Sequence, residues 1–150
     1  MHRMFVMLFS ASILGGCASS GAGPQEIDCA ALDQVIDAAA DDFQSISGAK
    51  RITRYGEARA VKLHPYGECS IFVAAGEPAL YLCGNKSAEQ DKDRMELIAA
   101  TQACLGTGWQ RSELAGGGAV FIREGVQVTV GKTDPRASHD SSVGLTLQRR

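Results

Sequence analysis

A chain of 150 residues carrying 15 Lys and Arg against 17 Asp and Glu, with a formal net charge of −2, lacks the cationic excess that nucleic-acid binders use to neutralise phosphate. Its length suits one domain with a sizeable core and leaves little room for a second.

The first element is an address. His2 and Arg3 make a short positive start, and Met4 to Leu14 is almost wholly apolar. That run of about 11 residues has the form of a secretory signal and is too short to span a membrane, which takes about 20. It ends in Leu14-Gly15-Gly16-Cys17. These four residues resemble the lipobox of bacterial lipoproteins: an aliphatic residue, two small residues and an obligatory Cys. The resemblance covers the first 17 residues and not the domain behind them. It implies removal of residues 1–16 as a signal peptide and acylation of Cys17, with diacylglyceryl on sulfur and a palmitate-type chain on nitrogen. Two or more chains anchor a protein stably where one does not. By the sorting rule for such lipoproteins, Ala18 in place of Asp favours the outer membrane, facing the periplasm.

Residues 17–25 form the acylated Cys and a flexible tether, since Ala18 to Pro24 is small and polar without apolar periodicity. Seven such residues have a root-mean-square reach of about 15 Å, so the domain stays close to the lipid. Losing Arg3 with the signal lowers the 15 basic residues by one against 17 acids and leaves the mature chain at −3. Residues 26–150 then form a single domain.

Asp28 to Gln44 reads as a helix, with Cys29, Leu32, Ile36, Ala39 and Phe43 on one face. Asp33, Asp37 and Asp41 make a second, acidic stripe that repels itself slightly and reads as a solvated face. Lys50 to Leu63 reads as one half-buried strand bearing Lys50, Arg51, Arg54, Arg59 and Lys62 against Glu57. Arg51, Arg54, Arg59 and Lys62 are the candidate ligand contacts. His64-Pro65-Tyr66-Gly67 is a turn. It leads to Cys69–Ala74 and Ala79–Cys83, two strands flanking Ala75-Gly76-Glu77-Pro78.

A hairpin centred on Gly76 sets Cys69 opposite Cys83, within disulfide reach. Of the four Cys that remain behind the anchor, Cys29 and Cys104 pair by elimination. Ser87-Ala88-Glu89-Gln90 has the form of a capping box opening a second helix that Gly106 ends, with Met95, Ile98, Thr101, Cys104 and Leu105 inward. Because Cys29 opens one helix and Cys104 closes the other, their bridge requires the two helices to run antiparallel.

Trp109–Leu114 reads as a short strand, and Trp109 as a core anchor beside that bridge. Val120–Arg123 and Val126–Val130 are joined by Glu124-Gly125, which sets Phe121 against Val128 and Ala119 against Val130. Val143, Leu145 and Leu147 alternate with Gly144, Thr146 and Gln148 in a last strand. The expected fold is α+β: two helices packed on one face of an antiparallel sheet, in a helix-plus-three-strand pseudo-repeat.

Chemistry-bearing motifs are few. His64 and His139 are the histidines left behind the signal, and no C-x-x-C, H-E-x-x-H, P-loop or G-x-S-x-G occurs, so neither metal nor cofactor is expected. Ser138-His139-Asp140-Ser141 has the residue types of nucleophilic catalysis, but neighbours on one loop seldom converge on one reacting atom. The expected function is therefore a non-enzymatic one: a membrane-anchored envelope lipoprotein acting as a protein-binding or structural accessory, of the assembly-factor, pilotin or inhibitor and immunity type. An envelope hydrolase using the Ser138–Asp140 loop and a binder of an anionic envelope ligand through Lys50–Lys62 are the alternatives.

Overall fold

A computed structural model describes residues 26–132 and 142–150. In chain order it contains α1 (Cys29–Ala38) followed by a 3-10 turn (Ala39–Asp41), β1 (Ser47–Thr53), β2 (Gly56–Val61), β3 (Glu68–Val73) and β4 (Leu80–Lys86). Next come α2 (Gln90–Leu105), β5 (Gln110–Glu113), β6 (Ala119–Arg123), β7 (Val126–Lys132) and β8 (Ser142–Arg149). The strands form one antiparallel sheet in the order β1-β2-β3-β4-β8-β7-β6-β5. This is the α+β fold expected, with one change of count. Each helix is followed by four strands, not three, and the two α-plus-four-strand halves meet where β4 pairs β8.

The period-2 pattern of the strands determines which face is covered. Ile71, Tyr81, Leu147, Val128 and Phe121 lie side by side across β3, β4, β8, β7 and β6, and all are buried. Leu32, Val35 and Ile36 of α1 and Leu97, Ile98 and Leu105 of α2 close over them in one core. The opposite face, with Thr129, Thr146, Gln127 and Gln148 at its centre, carries neither helix.

Both predicted bridges form. Cys69 opposes Cys83 in the β3–β4 ladder, with Cα atoms 4.1 Å apart. Cys29 joins Cys104 at a Cα separation of 5.1 Å, tying the start of α1 to the end of α2. The two helices therefore run antiparallel, as that pairing demands.

Four local expectations need correction. First, α1 ends six residues before Gln44. Asp42 and Phe43 take left-handed backbone angles (φ 53 and 61), and the Asp41 carboxylate accepts from the amides of Gln44 and Ser45. Phe43 is still fully buried against Tyr81, with ring centroids 5.5 Å apart, so it reaches the core from beyond the helix. Second, Lys50–Leu63 is two strands. The Thr53 hydroxyl donates to the Gly56 carbonyl at 2.8 Å and accepts from the Tyr55 amide at 3.2 Å, closing a tight turn. Third, Ser87 does not close a capping box. The helix begins at Gln90, and the Ser87 hydroxyl instead accepts from the Glu89 amide and donates to Asp93. Fourth, Met95 is 63% exposed, and Leu97 takes its place inward.

Candidate protein-contact site

The turn at Arg54-Tyr55 makes β1 and β2 a two-stranded finger whose tip carries two of the most exposed large hydrophobic side chains described. Ile52 is 77% exposed and Tyr55 67% exposed. Ile52 shares its face with Glu57, Val73 and the core positions of β3, yet no helix extends over β1 to cover it. Arg51 points to the other face, opposite Ala58, and the Arg54 guanidinium lies over the Tyr55 ring at 4.5 Å. An exposed Ile, an exposed Tyr and the cations Arg51 and Arg54 thus share a few residues of chain. Aromatic and arginine side chains of this kind anchor protein interfaces.

The other cations of the segment are placed elsewhere. Arg59 donates to Glu57 at 2.5 Å and Lys50 lies 3.6 Å from the same carboxylate, a triad that fills the helix-side face beyond the reach of the helices. Hydrogen bonding from Arg59 holds the Glu57 carboxyl below its ordinary pKa. Lys62 follows the end of β2 farthest from the turn, about 20 Å away for six extended residues. Of the four predicted ligand contacts, the fold leaves Arg51 and Arg54 exposed near the turn, commits Arg59 to Glu57 and places Lys62 at the far end of β2.

Nor does the acidic helix meet the basic strand. Asp33, Asp37 and Asp41 are exposed, and among the described residues no ion pair links α1 to β1 or β2.

The finger points away from the point where the domain begins. The Asp28 amide donates to the Pro65 carbonyl at 2.8 Å, fixing the start of α1 beside the β2–β3 loop. That loop and the Arg54-Tyr55 turn are at opposite ends of β2. Near the start lies a cavity of about 320 Å³ lined by Ile27, Tyr66, Leu97 and Ala100 together with Glu26, Asp93 and Glu96. Burial pushes the pKa of the Tyr66 phenol up. A second concavity, on the helix-free face, is lined by Ser70, Leu82, Gly84 and Lys86.

Among the described residues no group of three or more His, Cys, Asp or Glu is placed to hold a metal ion, and no helix is long and apolar enough to cross a membrane. Trp109 is half-buried against the core, with Arg123 over its ring at 4.7 Å. Cys17 and the Ser138–Asp140 loop lie outside the described residues.

Ile52 and Tyr55 escaped the sequence reading. The available signal was Tyr55-Gly56, an aromatic-glycine pair in the middle of a segment read as one strand. Comparison with models of known protein families, with curated proteins and with solved structures finds no match.

Proposed function

We propose that this chain is a bacterial outer-membrane lipoprotein, acylated on Cys17, whose periplasmic domain is a non-enzymatic accessory that docks another envelope protein. The observation that carries this reading is the β1–β2 finger, where Ile52 and Tyr55 are exposed in the same five residues as Arg51 and Arg54 and no helix covers them. Isolated surface hydrophobics are ordinary. Two on one hairpin tip, flanked by arginines and left bare by both helices, have the composition of an interface core. The tether supports the same reading. A reach of about 15 Å keeps the start of the domain near the lipid, and the finger projects from the other end of the sheet toward the periplasm. The Cys69–Cys83 bridge cross-links β3 to β4 in the same sheet, and the Cys29–Cys104 bridge joins the two helices packed on it.

The test is photo-crosslinking from position 55 in intact cells producing the full chain. A photoreactive residue in place of Tyr55 is expected to give a discrete adduct with an envelope protein, and the same residue in place of the exposed Gln110 on the far edge is not. Adducts at position 55 that contain lipid or the chain itself, or no adduct, would remove the basis for the reading.

A further inference from the structure

The sheet has two edges, and they are built differently. At one end β5 is four residues long, Gln110-Arg111-Ser112-Glu113, polar throughout and with Arg111 and Glu113 paired at 2.5 Å. That is a blunted edge of the kind that discourages further pairing. At the other end β1 is seven residues long and carries the exposed Ile52. Its ladder with β2 is irregular between Ser47 and Lys50 and regular from Lys50 to Thr53.

Within that regular stretch the free hydrogen-bonding groups can be assigned. Thr53 pairs with Gly56 across a two-residue turn, so these two exchange both backbone hydrogen bonds, and Arg51 and Ala58 do so two residues on. Lys50 and Ile52 consequently turn their amide and carbonyl groups outward, away from β2. An edge with unpaired backbone groups is a template for another strand.

The charge of this edge restricts its occupant. Lys50, Arg51 and Arg54 flank Ile52, and the one acid nearby, Glu57, is already held by Arg59 and Lys50. A second copy of the chain would bring two sets of these cations together, which like-charge repulsion opposes. An acidic segment meets no such penalty.

We propose that β1 is a strand-addition site for an extended acidic segment of the partner protein, with carboxylates opposite Lys50 and Arg51 and an apolar residue opposite Ile52. The site rests on the protein-docking reading above and gives the docked partner its chemistry. Backbone bonds to Lys50 and Ile52 supply affinity, Ile52 is buried by the incoming apolar side chain, and the cations select sign of charge.

The probe is a ten-residue synthetic peptide with Val-Glu-Glu at its centre in a Ser and Thr context, the order an antiparallel strand needs to set Val opposite Ile52 and its acids opposite Arg51 and Lys50, titrated against the full chain in detergent micelles. Val-Lys-Lys and Ser-Glu-Glu peptides serve as comparisons. The Val-Glu-Glu peptide is expected to bind about tenfold more tightly than either, and to slow hydrogen exchange at the Lys50 and Ile52 amides. The double variant Arg51→Glu, Arg54→Glu, whose altered side chains are exposed and whose melting temperature should not move, is expected to prefer the Val-Lys-Lys peptide. Equal binding of both charges, protection appearing on β5 or the open face, or no binding overturns the proposal. So does arginine-dependent binding of phosphatidylglycerol vesicles without peptide binding, which assigns the edge to lipid. If crosslinking from position 55 captures a protein while these peptides fail, strand addition is lost and protein docking stands. Failure of both removes the docking reading itself.

Discussion

Tyr81 is fully buried at the middle of the covered face, its hydroxyl donating to the Leu63 carbonyl. Burial raises its pKa well above the ordinary 10.0. The sign follows from linkage: a phenol that stays neutral when folded but ionises when unfolded contributes stability below about pH 10, lost as pH rises beyond that. Tyr81→Phe should cost about 1 kcal/mol at pH 7 through the lost hydrogen bond, and should flatten the alkaline limb of a urea-melt series run from pH 8 to 11. Thr101 presents the opposite case. It is fully buried and its Oγ1 has no hydrogen-bond partner among the described residues, so the desolvation of the hydroxyl is uncompensated. Thr101→Val keeps the shape and should raise stability by about 1 kcal/mol in chemical denaturation. Gly67 has φ +61, and a Cβ there would lie 2.5 Å from the Gly84 carbonyl oxygen. Gly67→Ala should therefore destabilise by about 2 kcal/mol or more, read from the same melts.

At the scale of elements, the disulfides differ in what they close. On the chain-entropy model the Cys29–Cys104 bridge, spanning 75 residues, is worth about 4 kcal/mol and the Cys69–Cys83 bridge, spanning 14, about 3 kcal/mol. Replacing Cys29 and Cys104 with Ala should lower stability more than the same change at Cys69 and Cys83, and a smaller loss at the long loop would contradict that ordering. The short bridge was legible in the sequence because one tight turn fixes the register of everything beside it. The same logic yielded Phe121 opposite Val128. The ends of α1 and the split of β1 from β2 were hidden for physical reasons. Phe43 sits where a continued helix would put a core residue, so the apolar spacing ran on past a backbone that had already turned left-handed at Asp42. The β1–β2 turn uses no hairpin-type Asn-Gly or Asp-Gly pair. It is closed by the Thr53 side chain, and no spacing rule reports that bond. The candidate site was half visible for the same reason: its arginines stood out as charge, whereas the exposure of Ile52 depends on where the helices stop.

For the molecule as a whole, the sheet order places the two halves back to back across β4 and β8, under one pair of disulfide-linked helices. The start of the domain at Asp28 and the Arg54-Tyr55 tip are then at opposite ends of β2. On the proposed reading, acylation at Cys17 would bring the first of these ends toward the membrane and direct the second away from it. The measurement that bears most directly on this account is the intact mass of the protein purified from membranes, before and after reduction and alkylation. The account predicts residues 17–150 carrying acyl groups on Cys17, no reactive thiol before reduction, and addition of four alkyl groups after it. An unacylated amino terminus, or four thiols that alkylate without reduction, would contradict it.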